Sequence, residues 1–165
     1  MRNVQKLIGA ILSLVLLASS ALTQTITSSP LAYVQGTWTP IVTTDATVGT
    51  PSYTTQFGSY EQIGRQVTVR FQLILSGWTG SPTGNVQISG LPVTSANTAN
   101  DVGICVMGFY NVAGLTATNG SVGGFINPNT TVVLLRQNGP TSTTSITAAQ
   151  AGTTPAFAGS CTYHN

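Results

Sequence analysis

The chain has 165 residues, of which 41% are hydrophobic and only 5% are charged. This combination excludes a disordered chain, which needs low hydrophobicity and high net charge. The formal net charge is +2, but Arg2 and Lys6 lie at the very start, and the rest of the chain has three basic and three acidic residues. A neutral body without a basic stripe argues against binding to nucleic acid.

The body offers few groups for chemistry. Its acidic side chains are Asp45, Glu61 and Asp101. No pattern pairs two of them across one bond, as a glycosidase requires, so we predict no enzyme. With a single histidine, His164, and no closely spaced cysteines, we predict no metal site and no cofactor. We interpret Cys105 and Cys161 as small buried hydrophobic residues, with a disulfide as the alternative if the protein is exported.

Residues 1–22 form an apolar leader with two interpretations. A basic start followed by an apolar run from Leu7 to Leu22 is typical of a secretory signal peptide. Apolar residues also recur at alternating spacings of four and three, which predicts a helical seam that anchors the protein in an assembly. The seam positions are Val4, Ile8, Ile11, Val15, Ala18 and Leu22. Residues 23–35, which begin with a Thr/Ser stretch, are the predicted linker to a domain at 36–165.

Alternation of apolar and polar residues predicts strands in that domain. The clearest strand is Gln66–Leu75, in which every second residue is apolar. Further strands are predicted at 85–89, 102–110, 122–126, 131–136, 144–149 and 156–163. We expect 102–110 to be covered on both faces and 122–136 to form a hairpin. Short strands separated by turn signals, without helical periodicity after residue 30, predict an all-β fold, an antiparallel β-sandwich of jelly-roll-like topology.

Trp78 lies in the predicted loop Ser76–Gly84, among glycines. An aromatic side chain on a loop can stack on a sugar ring or anchor a partner, which makes Trp78 a candidate surface-binding residue. The competing interpretation is that Trp78 caps one end of the sandwich. Trp38 is predicted to pack against the base of the domain.

Three short motifs follow one another in the body and carry a family resemblance. They are Gly36-Thr37-Trp38-Thr39-Pro40; then Gly58, Tyr60, Ile63, Gly64 and Val67; then Val86, Ile88, Gly90, Leu91 and Pro92. With the ending Phe157–Tyr163, they resemble the C-terminal β-sandwich domain of tailed-phage tail-spike, tail-fibre and head-fibre proteins. We expect Tyr60 and Ile63 to cap the core and Gly64 to supply a backbone angle that a Cβ would forbid.

The resemblance implies a structural protein of the virion surface that forms a homotrimer. It implies attachment through the N-terminal segment to other virion proteins, of the capsid, portal or tail, and contact with a host-surface glycan. Because no long shaft separates the leader from the domain, we expect a short head-fibre or decoration protein, or a tail-fibre-like one. The alternative is a secreted surface-binding module, an adhesin that recognises glycans through Trp78.

Overall fold

The computed structural model describes residues 32–115, 121–139 and 141–165, and the six seam positions predicted between Val4 and Leu22 lie outside them. The strands are β1 (Tyr33–Trp38), β2 (Ile41–Thr44), β3 (Thr50–Ile63), β4 (Gln66–Thr79), β5 (Val86–Ser89), β6 (Gly103–Asn111), β7 (Ser121–Ile126), β8 (Val132–Asn138), β9 (Thr143–Ser145) and β10 (Ala156–His164). A short helix, α1 (Ala148–Ala151), precedes β10. Within the described ranges, no helix has the length and hydropathy of a membrane span.

All ten strands join one antiparallel sheet. Its order is β1-β3-β4-β10-β6-β7-β8-β5-β2, with β9 paired to β8. Strands β1 and β2 stand at opposite ends of that order, yet only Thr39 and Pro40 separate them in the chain. The three Cα–Cα steps from Trp38 to Ile41 span at most about 10 Å, so the sheet must curl until its ends meet. The predicted all-β, antiparallel, jelly-roll-like fold is confirmed.

The inner face of the curled sheet holds the core. In β4 the side chains at alternate positions from Val67 to Leu75 are all buried, while Gln66, Arg70 and Gln72 on the other face are exposed. The same cluster contains buried residues from other strands: Val42, Ile88, Leu135 and Phe157. Each large apolar side chain removed from water in this way stabilises the fold by about 1.5–3 kcal/mol.

Several predicted boundaries are corrected by the pairing. Strand β4 continues to Thr79 rather than ending at Leu75, because its last residues still pair with the start of β3. Strand β1 begins at Tyr33, inside the predicted linker. In place of the strand predicted at 144–149, β9 ends at Ser145 and α1 follows, capped by Thr147, whose hydroxyl accepts a hydrogen bond from the Gln150 amide.

Strand β6 differs most from expectation. The sequence predicts that both of its faces are covered, but Ile104 is 62% exposed and Val106 is 70% exposed. Both point away from the core, because the alternate residue Cys105 is buried. Strand β6 therefore presents an uncovered apolar stripe in the middle of the sheet order.

Cys105 and Cys161 are buried and form a disulfide, so the alternative interpretation holds and the one of two unlinked hydrophobic residues is wrong. They are directly opposite one another in the register of β6 and β10, with Cα atoms 4.0 Å apart. The bond joins two positions separated by 56 residues and fixes the relative register of the two strands. An oxidising location, such as the cell exterior or a virion surface, permits such a bond.

We expect the double variant C105A/C161A to lose about 4 kcal/mol of unfolding free energy, because the disulfide closes a long loop in the unfolded chain. Urea unfolding followed by tryptophan fluorescence measures this loss. Dithiothreitol should lower the unfolding midpoint of the unmodified protein and leave that of the double variant unchanged. An unmodified protein indifferent to dithiothreitol would contradict a stabilising disulfide.

Asp45, in the loop after β2, holds the start of β5. Its Oδ1 accepts a hydrogen bond from the Asn85 backbone amide and its Oδ2 one from Asn85 Nδ2, both at 2.7 Å. These hydrogen bonds, from the backbone amide first, lower the pKa of Asp45 below its usual 3.8. The ionised carboxylate therefore favours the folded state.

Because the folded-state pKa is the lower one, this contribution is complete above the unfolded pKa and is lost as the pH falls through the folded pKa. We expect the unfolding free energy of the unmodified protein to fall more steeply than that of D45N between about pH 5 and pH 2. Urea titrations at a series of pH values test this. Parallel pH profiles for the two proteins would rule the mechanism out.

Candidate functional site

The first two sequence motifs meet as reciprocal glycine–aromatic pairs between β1 and β3. In the antiparallel register Gly36 lies opposite Tyr60, and Trp38 lies opposite Gly58. A Cβ on Gly36 would be 2.7 Å from the Tyr60 ring, and one on Gly58 would be 2.5 Å from Trp38 Nε1. Each glycine therefore makes room for the aromatic ring of the facing strand, which explains the Gly-x-Trp and Gly-x-Tyr spacings.

Trp38 is buried, and its indole donates a hydrogen bond to the Ser59 carbonyl at 3.2 Å. The ring also meets Phe71 of β4 edge to face, with centroids 6.3 Å apart. Pro40, two residues on, is fully buried. This part of the motif builds the corner at which the sheet closes.

The remaining motif residues form turns and strand ends. Gly64 has a φ of 58° and opens the two-residue loop between β3 and β4. Gly90 has a φ of 89°, and a Cβ there would be 2.8 Å from the Thr39 carbonyl oxygen. Leu91 is buried and Pro92 half-buried just after β5. Ile63 lies on the outer face of the sheet and is 51% exposed. The expectation that it caps the core is therefore wrong for the single chain.

We expect Gly58→Ala to reduce the unfolding free energy by about 2 kcal/mol, because the new methyl group overlaps the buried indole. Gly108→Ala is the matched control, since a Cβ there has its nearest neighbour at 4.0 Å. Urea unfolding of both variants measures the difference. Equal stability of the two variants would show that the close contact at Gly58 carries no cost.

Trp78 is not on a loop. It lies in β4, is 3% exposed, and its indole donates a hydrogen bond to the Val48 carbonyl at 2.7 Å. The strand continues through Gly77, although the glycines in this segment had predicted a loop. A buried ring offers no face to a ligand, so Trp78 is corrected from a candidate surface-binding residue to a core residue.

The structure points to another surface, which sequence reasoning missed. The outer face of β3, β4, β10 and β6 carries a groove of about 620 Å³, which we call the outer groove. It is lined by Phe57, Ser59, Arg70, Phe71, Gln72, Val106, Gly108, Ala158, Gly159 and Ser160. The pairing explains this set, because Ser59, Arg70, Ser160 and Val106 form one row across the four strands.

Small residues form the floor of the outer groove and larger ones its sides. The side chains of β10 at this point are small, since they belong to Ala158, Gly159 and Ser160, so β10 forms the bottom of the groove. Phe57 on β3 is 54% exposed and Val106 on β6 is 70% exposed, so each presents an apolar side chain to solvent. The groove is therefore a shallow apolar depression with one guanidinium, that of Arg70, beside it.

Among the described residues, two charged side chains have no hydrogen-bond or ion-pair partner: Arg70 and Glu61. Both are exposed on the outer face, and both line one small crevice with Ser59, Tyr60 and Thr68. They occupy diagonal positions on β4 and β3, since Arg70 pairs with Ser59 and Glu61 with Thr68.

The other charged groups are engaged elsewhere. Arg65 donates to the Asn165 carbonyl, and His164 lies 3.1 Å from Asp101, so His164 is held rather than free. Arg136 donates from Nη1 to the Ser145 hydroxyl at 2.7 Å and lies 5.0 Å from the centre of the Phe125 ring. None of the arginines forms an ion pair with an acidic residue within the part of the chain that is described.

Two partly buried tyrosine hydroxyls form hydrogen bonds with the backbone. Burial raises the pKa of Tyr163 to about 12, and its hydroxyl donates to the Val93 carbonyl at 2.8 Å. Burial also raises the pKa of Tyr53, whose hydroxyl accepts a hydrogen bond from the Val42 amide. In residues 32–115, 121–139 and 141–165, no three His, Cys, Asp or Glu residues come together as metal ligands.

No protein-family model and no curated protein sequence matches this chain. Its fold is similar to that in the crystal structure of the Dettilon tailspike protein (gp208), with a TM-score of 0.66 and 17% sequence identity. The similarity covers 80% of this chain and 24% of the tailspike chain, so this chain spans about a quarter of that protein's length. At this level of identity the similarity shows a shared fold.

Proposed function

We propose that this chain is a structural protein of a bacteriophage surface, in which three copies each display the β-domain and are held through their N-terminal segments to other virion proteins. The observation that carries the proposal is the fold shared with part of a phage tailspike over 80% of this chain. The ordered motifs around Trp38, Tyr60 and Leu91 also support it, because they resemble those of the C-terminal β-sandwich domain of phage tail-spike and fibre proteins.

The surface of the domain supports a role in an assembly. Large apolar side chains that are exposed close together on a surface mark interaction sites. Here large apolar side chains are exposed on β1, β3 and β6, among them Tyr33, Ile63, Phe57, Ile104 and Val106. The low charge of the whole chain also disfavours a freely soluble monomer, since charge keeps molecules apart.

The proposed role is structural rather than catalytic. The Asp101 carboxylate lies 3.1 Å from His164, and the Asp45 carboxylate accepts a hydrogen bond from the Asn85 amide, so both are engaged in contacts within the fold. Glu61 then has no second carboxylate beside it in the described residues, as paired acid–base hydrolysis would need. We propose that the chain is a short head fibre or decoration protein. Outside the particle, it would contact a glycan on the host surface.

A second candidate is a secreted surface-binding module. The Cys105–Cys161 disulfide favours it, because such bonds form in oxidising compartments. Trp78 no longer supports it, since the ring is buried. A glycan would in this case bind at the exposed ring of Phe57 instead.

Intact mass and location decide between the two candidates. In the first case, purified phage particles contain the protein at the mass of the full chain, 17.0 kDa, with or without the initiator Met. Light scattering of the full chain then gives the mass of three copies. A chain that begins near Leu22 and accumulates in the medium would support the secreted module. A stable monomer missing from purified particles would overturn the virion proposal.

A further inference from the structure

Strand β6 carries β-branched side chains on a face where β10 and β4, to one side of it, carry mostly polar ones. Ile104 and Val106 are exposed, while their neighbours across the sheet are Thr162 and Ser160 on β10 and then Thr68 and Arg70 on β4. Leaving these side chains in water forfeits about 1.5–3 kcal/mol for each one that could be buried. Covering this stripe would recover that free energy, and the cover would come from beyond the described part of the chain.

We propose that the outer face of β3, β4, β10 and β6 is the surface through which copies of this chain meet, and that Arg70 of one copy pairs there with Glu61 of another. This inference rests on the assembly stated in the proposed function and names the contact that builds it.

The shape of the face suits a second copy of itself. The outer groove provides a depression of about 620 Å³, with a floor of small residues on β10. The same face provides projecting apolar side chains of the size that fills such a depression, Phe57 and Val106. A surface that holds both the projection and the recess can bury its apolar groups against another copy.

The charges of the face argue for the same occupant. Arg70 and Glu61 are the two charged side chains without a partner in the described residues, and they have opposite sign. An acidic polysaccharide or a nucleic acid would require an excess of positive charge on the face. A face with one cation and one anion is instead complementary to a copy of itself.

The two charges do not satisfy one another within the chain. No ion pair joins Arg70 and Glu61 within 4.0 Å, although they lie on adjacent strands. Both would lose their hydration when two apolar faces come together, and an unpaired charge at such a contact is costly. Pairing between copies removes that cost and sets the register of one face on the other.

Cysteine cross-linking of the full chain tests whether the faces meet. Both natural cysteines are held in the disulfide, so V106C adds one free thiol on the outer face. V48C is the matched control, because Val48 is also exposed but lies in the loop before β3, where its carbonyl accepts the Trp78 hydrogen bond. Trp78 is six residues, or about 20 Å, along β4 from Gln72 in the outer groove. We expect a short bismaleimide to give two-chain products for V106C, and for F57C, but not for V48C.

The charge pair is tested by mixing two variants of the full chain. We expect R70E and E61R each to raise the concentration needed for association about a hundredfold, because each places like charges together at the contact. An equimolar mixture should recover part of the association, because a mixed trimer has opposite charges at two of its three contacts and like charges at the third. At those two contacts the carboxylate introduced by R70E meets the guanidinium introduced by E61R, or Arg70 meets Glu61. This recovery requires contact between chains, because neither variant regains an opposite pair within itself.

The outcomes separate this inference from the proposed function. Full chains that are trimeric by light scattering, yet give no cross-links at Val106 or Phe57, would overturn the assigned face and leave the virion proposal standing. Association that is unchanged in R70E, with retention on host polysaccharide lost, would show that the groove holds a glycan and overturn the copy-to-copy contact. Cross-linking at Val106 in a secreted dimer would support the face and contradict the virion proposal.

Discussion

The corner between β1 and β2 is the constraint on which the rest of the structure depends. The chain passes from one end of the sheet order to the other in two residues, so the sheet can form only if it curls and closes there. Three hydrogen bonds join this corner to β3. The Trp38 indole donates to the Ser59 carbonyl, and the Gln56 side-chain amide donates to the Pro40 carbonyl. The Val42 amide donates to the Tyr53 hydroxyl. The glycines opposite Trp38 and Tyr60 let both rings fit against the backbone of the facing strand.

Closure at this corner divides the side chains of every strand into two sets. One set fills the interior of the curl, where Leu73, Ile88 and Phe157 are buried completely. The other set faces outward, and packing within the chain does not determine which residues it contains. In β4 that outer set is polar, whereas in β6 it is apolar. A difference of this kind between near neighbours has no origin in the stability of the single chain, which gains nothing from exposed Ile104 and Val106.

The core strand and the fold class could be predicted from the sequence because β4 alternates strictly between buried and exposed positions. Strands β1 and β3 carried no such signal, since many of their inner positions hold Gly, Tyr or Gln rather than aliphatic residues. The helix α1 is too short for a periodic pattern and is set by its cap at Thr147.

The candidate surface was missed for a different reason. Apolar residues on both faces of β6 indicated burial within the chain, and the same pattern also arises when one face is covered by another molecule. The disulfide could not be derived either, because it depends on the register between β6 and β10, two strands far apart in the sequence.

That register connects the disulfide to the outer face. Cys105 lies between Ile104 and Val106, and its bond to Cys161 holds β6 opposite β10 at that point. A slip of one residue would turn every side chain of β6 to the opposite face, exposing the cysteine and burying the two aliphatic side chains. A covalent link at this position therefore keeps the apolar stripe outward before any partner arrives. A surface held in its binding arrangement loses less conformational entropy on association, so in the proposed assembly the bond would contribute to association as well as to folding.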